Sequence, residues 1–153
     1  FKLVISTKQK LNFEDTEMKI SIETTIKSDL ETVWLAWNNP EDIKQWNAAS
    51  ADWHTTESTV DLREGGTFSS RMEAKDGSMD FDFGGTFSKV IENQLIEFSM
   101  ADGRWVSIEF SLDGNGVKVE ETFDAESQSA GEPQRQGWQN ILNNFAKHVE
   151  SKN

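Results

Sequence analysis

The chain has 153 residues, a formal net charge of −12 at pH 7 and no cysteine. This length is enough for one domain with its own hydrophobic core. The lack of cysteine excludes disulfides, thiolate nucleophiles and cysteine metal sites, and the acidic balance disfavours binding to phosphate backbones and anionic lipids. No apolar run approaches the ~18 residues that a membrane-spanning helix needs. We therefore expect a cytoplasmic protein that binds neither nucleic acid nor a membrane.

The first 17 residues are set apart from the rest. Met18 opens a run that is typical of the first strand of a domain, and residues 1–17 lack the apolar core and cleavage site of a signal peptide. We expect residues 1–17 to be a non-native extension and residues 18–153 to form one domain. The alternative is a genuine N-terminal arm, in which residues 3–5 form a short edge strand.

A strand and two short helices open the domain. Isoleucines at alternate positions of residues 18–26 predict a half-buried strand. Ser28 and Glu31 have the spacing of a capping box, which predicts that Ser28 caps a first helix. Asn39 suits the N-cap of a second helix, and Pro40 suits its first position.

From His54 onward, apolar residues again occupy alternate positions, which predicts about six antiparallel strands. Asp76-Gly77, Asp102-Gly103 and residues 113–116 are typical of the turns between them. The tetrapeptide Gly-Gly-Thr-Phe occurs twice, at residues 65–68 and 84–87. We interpret the first glycine pair as a turn and the second as a bulge or sharp bend in a curved sheet.

The last element is a helix from Pro133 to about Ser151 with an apolar stripe suited to packing on a sheet. Gly137 is interpreted as the point where this helix comes closest to the sheet. A long helix across a curved sheet leaves a space that side chains do not fill. The stripe consists of Trp138, Ile141, Leu142, Phe145 and Val149.

The residues that point inward from these elements predict a mostly apolar ligand cavity with a few polar groups. Ser70, Thr24 and Glu121 would supply the polar groups. The cavity set is Trp34, Trp37, Phe68, Ser70, Met72, Phe81, Phe83, Phe98, Met100, Ile108, Glu121, Trp138 and Leu142.

Glu121 is the exception in the inner row of the last strand, because a buried carboxylate without a partner is costly. It either reaches water at the strand end, pairs with Arg71 or Arg104, or anchors a ligand. His54 begins a strand and is a candidate for a ligand or proton role at the cavity mouth. His148, on the terminal helix, is expected to be solvated.

Neither a metal nor a cofactor is expected. Asp80 and Asp82 share the polar face of a strand, and together with Asp76 they do not have the spacing of a calcium loop. No zinc-binding set of residues is present in the sequence.

The order of these elements resembles the START/Bet v 1-like (SRPBCC) superfamily. Within it, the chain is similar to the domain family named after the activator of the heat shock protein 90 ATPase. The resemblance covers about residues 18–150 and implies an α+β helix-grip fold, in which a curved antiparallel sheet of six to seven strands is gripped by the C-terminal helix. The matching stretches are Val33–Trp37, Asn39–Trp46, Asp61–Phe68, Asp76-Gly77 and Gly137–Leu142.

Three functions remain open. We favour non-catalytic binding of a small hydrophobic or amphipathic molecule, because the inner face is aromatic and no convincing catalytic set accompanies it. The second hypothesis is a co-chaperone-like interaction module with a chaperone as partner. The third is a cyclase-like or hydrolase-like enzyme, for which only His54 and Glu121 would supply an acid–base pair. A monomer and a dimer are both compatible with the sequence.

Overall fold

The computed structural model describes residues 18–127 and 131–152 and confirms the predicted fold class. A seven-stranded antiparallel sheet curls beneath one long helix, and two short helices follow the first strand. The expectations for residues 1–17 lie outside the described residues. In chain order the elements are β1 (Lys19–Ile26), α1 (Leu30–Asn38), α2 (Pro40–Trp46), β2 (Trp53–Val60), β3 (Thr67–Ala74), β4 (Asp80–Ile91), β5 (Leu95–Met100), β6 (Trp105–Asp113), β7 (Gly116–Asp124) and α3 (Gly131–Glu150).

The strands lie in the order β1-β7-β6-β5-β4-β3-β2, so β1 is an edge strand. α3 covers this edge. Arg135 Nη1 donates to the carbonyl oxygen of Ser21 at 2.8 Å, and Gln139 Nε2 donates to that of Glu23 at 3.2 Å. These bonds satisfy backbone carbonyls on an edge that would otherwise be open to pairing with another chain. They also fix α3 beside the sheet.

The two Gly-Gly-Thr-Phe copies lie side by side. The amide of Gly65 donates to the carbonyl of Phe87 at 2.8 Å, and Gly65 has φ of 85°, as a turn requires. A Cβ at Gly84 would collide with the backbone carbonyl oxygen of Phe68. The second glycine pair therefore permits close approach of β3 to β4. The bulge occurs further along, where the β4–β5 register shifts between Phe87 and Lys89.

The helix starts follow local capping chemistry. The prediction of Ser28 as the first cap was wrong, since the N-cap is Asp29, whose carboxylate accepts from the amide of Thr32 at 2.9 Å. A carboxylate is the stronger acceptor, and the positive end of the helix dipole favours its charge. Hydrogen bonds from Thr32 hold the pKa of Asp29 below its ordinary value. Asn39 caps α2 as predicted, accepting from Glu41 at 2.9 Å.

α3 starts two residues before the predicted position and ends one residue before it. The interpretation of Gly137 was wrong, because a Cβ built there meets nothing within 4 Å. The next residue, Trp138, packs on the sheet instead, and its ring stacks on Phe123 with centroids 3.9 Å apart. The fully buried members of the stripe are Leu142, Phe145 and Val149.

His148 is not solvated as predicted. Its side chain is 18% exposed, and Nε2 lies 2.8 Å from Oδ1 of Asp42 on α2. Lys152 Nζ lies 2.9 Å from the same oxygen. Burial works against the ionised form of Asp42, but hydrogen bonds from Lys152 and His148 outweigh it and lower the pKa of Asp42. This cluster ties the end of α3 to α2.

Candidate functional site

A cavity of about 330 Å³ lies between the inner face of the sheet and the helices. β2 to β5 supply ten of its 21 wall residues, α1 and α2 close one side, and α3 contributes Gln134, Trp138 and Ile141. The complete wall consists of Trp37, Asn38, Ile43, Trp46, Asn47, Val60, Phe68, Ser70, Met72, Phe81, Phe83, Phe87, Ile96, Phe98, Met100, Arg104, Glu121, Glu126, Gln134, Trp138 and Ile141.

Ten of the thirteen residues proposed from the sequence lie on this wall, because strand alternation identifies the inner face for eight of them and helical periodicity for Trp37 and Trp138. They are Trp37, Phe68, Ser70, Met72, Phe81, Phe83, Phe98, Met100, Glu121 and Trp138.

Four proposed residues and one proposed polar group lie elsewhere. Trp34 packs edge-on against Phe110 at 5.2 Å, and Ile108 and Leu142 are fully buried in the core. These three point inward where side chains fill the space completely. His54 is exposed on β2 opposite Glu73, and neither it nor Thr24 on β1 lines the cavity.

Eleven wall residues were not predicted from the sequence, and two reasons account for five of them. Ile96 and Ile141 belong to apolar rows that the sequence shows, so only their nearness to an empty space was unknown. Asn47, Glu126 and Gln134 lie in loops or at a helix start, where no periodicity indicates direction. The others are Asn38, Ile43, Trp46, Val60, Phe87 and Arg104.

Aromatic rings make two parts of the wall rigid. Trp37 packs against Trp46 with centroids 4.9 Å apart, and both rings contact Phe145. Phe68 lies within 6 Å of Phe83, Phe87 and Phe98 in a second cluster. Interlocked aromatic pairs of this kind add stability beyond area burial. Packed rings therefore set the shape of these two parts of the wall.

The start of β4 extends past the end of β5. The β4–β5 pairing begins at Gly85 with Met100, so the preceding residues of β4 pair with β3 alone. From this overhang, the ring of Phe83 reaches Trp138 on α3, with centroids 6.2 Å apart. Phe81 is 48% exposed there and marks the opening of the cavity.

Most polar groups of the wall already have partners within the protein. Ser70 Oγ lies 3.4 Å from Ser58 Oγ, and Asn38 Nδ2 donates to the carbonyl of Trp34 at 2.9 Å. Arg104 Nε donates to Asp102 at 2.8 Å. Asn47 Nδ2 contacts Met72 Sδ at 3.6 Å, and Gln134 Oε1 accepts from the amide of Glu126 at 2.8 Å.

Glu121 is different. It lies on β7 between Ile22 of β1 and Ile108 of β6, and only 8% of the residue is exposed. Among the described residues, no hydrogen bond or ion pair to its carboxyl group is found. The suggested partners are engaged elsewhere, since Arg104 binds Asp102 and Arg71 binds carboxylates on the outer face. Burial raises the pKa of Glu121 from 4.5 to about 8.

Asp80 and Asp82, on the outer face of the sheet, form ion pairs with Arg71. Arg71 Nη2 lies 2.8 Å from Asp80, and Nη1 lies 3.3 Å from Asp82. Within residues 18–127 and 131–152, no group of three or more His, Asp or Glu side chains is arranged to hold a metal ion. None of the helices in this part of the chain has the length and hydropathy required to span a membrane.

The comparisons with known proteins agree with this fold. The family model described as Activator of Hsp90 ATPase homolog 1-like protein matches residues 27–150. No curated protein matches the chain.

Among solved structures, an AHSA1-like protein from Aeromonas hydrophila is 52% identical with a TM-score of 0.83, covering 88% of this chain and 94% of its own. A protein from Cytophaga hutchinsonii is 45% identical with a TM-score of 0.76, covering 88% and 93%. A protein from Nitrosomonas europaea is 18% identical with a TM-score of 0.79, covering 91% and 98%, and shares the fold. With its helix-grip architecture, the chain belongs to the Activator of Hsp90 ATPase homolog 1-like family, within the Bet v 1-like (SRPBCC) superfamily.

Proposed function

We propose that this domain binds a small hydrophobic or amphipathic molecule in the cavity between the sheet and α3, without catalysing a reaction on it. The observation that carries the proposal is a cavity of about 330 Å³ with a largely aromatic and aliphatic wall. Small-molecule sites have volumes of roughly 300–1,000 Å³ and are mostly apolar with a few polar groups. A small ligand is therefore the occupant that the volume and chemistry favour.

The pair of groups that a cyclase-like or hydrolase-like enzyme would need is not assembled at this site. Glu121 faces the cavity, but His54 is exposed on β2 and is not part of the wall. A general acid and base must both come within hydrogen-bond reach of the reacting atoms. Binding is therefore the role that the wall residues support best.

Titration with N-phenyl-1-naphthylamine, an uncharged fluorescent probe, tests the proposal. Ile141→Trp places a larger side chain on the cavity wall, and Val60→Phe does so from β2. Leu112→Trp is the matched control, because Leu112 is 73% exposed and is not a wall residue. Circular dichroism establishes that each variant folds.

We expect saturable binding by the unmodified protein and by Leu112→Trp, and at least a tenfold loss of affinity in both cavity-filling variants. Such a loss corresponds to about 1.4 kcal/mol. Absence of saturable binding by the unmodified protein would contradict the proposal. Equal affinity in folded filling variants would also contradict it, since the probe would then occupy another surface.

A chaperone contact is a second candidate, favoured by an exposed apolar patch on the β3–β4 hairpin. Met79 is 63% exposed and Phe81 is 48% exposed, and Phe81 packs against Trp53 at 5.6 Å. Exposed apolar patches often mark interaction sites. If a chaperone binds there, Met79→Ser will weaken its capture by the immobilised domain, while Leu112→Ser will not. Equal capture by both variants would remove this patch as the contact.

A further inference from the structure

We propose that the cavity selects a ligand whose apolar body carries one uncharged hydrogen-bond acceptor, such as a carbonyl oxygen, and that the protonated carboxyl group of Glu121 donates to it. This inference rests on the proposed function, because it names the chemical class of ligand for the same cavity.

The geometry singles out Glu121. Glu121 is more than nine-tenths buried and lines the cavity, and its cross-strand neighbours are the apolar Ile22 and Ile108. A buried polar group normally has a hydrogen-bond partner, and leaving it without one is unfavourable. Since the described protein residues supply none, the space that remains for a partner is the cavity. An acceptor on the ligand would complete this hydrogen bond.

The wall around Glu121 carries few charged side chains, which favours an uncharged ligand group. Besides Glu121, the ionisable wall residues are Arg104, next to β6, and Glu126, after β7. The Arg104 guanidinium binds Asp102, and Glu126 is exposed. The wall residues contributed by α1, α2, α3 and β2 to β5 are uncharged. No cation among these groups therefore stabilises an ionised Glu121 from across the cavity.

The protonation state agrees with this geometry. Burial raises the pKa of Glu121 to about 8, so the carboxyl group is mainly protonated at pH 7 and can donate. To form an ion pair with an ammonium ligand, Glu121 would have to lose this proton, and the ammonium would lose its hydration, which is costly in an apolar site. A carbonyl or ether oxygen requires neither change.

Three naphthalene probes of similar size separate these possibilities: 2-acetylnaphthalene, 2-ethylnaphthalene and 1-(2-naphthyl)ethylamine. Their affinities are measured by equilibrium dialysis at pH 6 and pH 9.5 against the unmodified protein and Glu121→Leu, Glu121→Gln and Glu57→Gln. The ratio of acetyl to ethyl affinity reports the hydrogen bond, because the naphthalene body is common to both probes. Glu57→Gln is the matched control on the exposed side of β2.

At pH 6 we expect this ratio to be about tenfold larger in the unmodified protein than in Glu121→Leu, which corresponds to about 1.4 kcal/mol. At pH 9.5 the unmodified protein should lose this advantage, because a carboxylate only accepts hydrogen bonds. Glu121→Gln should keep the advantage at both pH values, since its amide donates without titrating. Glu57→Gln should behave as the unmodified protein does.

Two results would overturn the inference while leaving the proposed function intact. One is binding of 2-ethylnaphthalene with an acetyl-to-ethyl ratio that Glu121→Leu does not change. The other is a preference for the amine that grows with pH and disappears in Glu121→Gln, which would assign a cationic ligand. If none of the three probes binds the unmodified protein, the inference fails, and the proposed function fails with it if N-phenyl-1-naphthylamine does not bind either.

Discussion

Replacing Glu121 with glutamine should stabilise the protein increasingly as the pH rises. Burial raises the pKa of this carboxyl group from 4.5 to about 8, so the folded protein holds a proton that the unfolded chain releases. Between these values the folded state binds more protons, and the free energy of unfolding therefore falls with increasing pH. Below pH 4.5 the group is protonated in both states and this loss is absent.

The size of the effect on the free energy of unfolding follows from the pKa shift of Glu121. Each pH unit in this window costs about 1.4 kcal/mol, so the loss reaches about 3 kcal/mol at pH 7 and levels off above pH 8. Glutamine has nearly the same shape and does not ionise. Glu121→Gln should therefore match the unmodified protein near pH 4.5 and exceed its stability by about 3 kcal/mol at pH 7.

Urea unfolding, followed by tryptophan fluorescence and far-ultraviolet circular dichroism at pH 5, 6, 7, 8 and 9, measures this difference. Subtracting the two stability curves removes the contributions of carboxylates shared by both proteins. Glu57→Gln, on an exposed position of β2, controls for the change in net charge. A difference between Glu121→Gln and the unmodified protein that stays constant from pH 5 to 8 would refute the reasoning.

Two further predictions concern the frame that holds the cavity. Gly84→Ala should destabilise the fold by about 2 kcal/mol, because its Cβ would meet the backbone oxygen of Phe68, whereas Gly137→Ala should stabilise α3 by about 1 kcal/mol. Thermal unfolding measures the stability of both variants, and equal changes in stability for Gly84→Ala and Gly137→Ala would contradict the packing argument. Asp42→Asn should cost about 1 kcal/mol at pH 7, because it removes the charge facing His148. Since the pKa of Asp42 in the folded protein lies below 3.8, this cost should shrink as the pH falls below 3.8 and be lost once the folded carboxyl group is protonated. In urea unfolding, a cost that is as large at pH 3 as at pH 7 would contradict this reasoning.

Local patterns predict the elements of this fold because each element has its own sequence signal. Alternation in β7 correctly turns Glu121 inward, and Asn39 before Pro40 correctly begins α2. Where two adjacent residues both suit a cap, as Ser28 and Asp29 do, the choice depends on the chain path and on the stronger acceptor. Periodicity alone does not contain that information.

Contacts between distant elements are harder to predict. His148 lies 106 positions from Asp42, and nothing in the spacing of α3 indicates that the two meet. Ile96 and Ile108 both point inward and pair across β5 and β6, yet only Ile96 borders the cavity. Which part of an inner face remains empty depends on how α1 and α3 pack over it. That is a property of the assembled fold rather than of any one strand.

The chain's four methionines permit the most direct test of ligand binding in the cavity. Met72 and Met100 line the cavity, Met79 is 63% exposed, and Met18 is not a wall residue. With methyl-¹³C methionine, titration of N-phenyl-1-naphthylamine is followed by nuclear magnetic resonance. The account predicts saturable shifts and probe contacts at Met72 and Met100, with Met18 and Met79 unchanged. Shifts confined to Met79, or no saturable shift at any methionine, would contradict it.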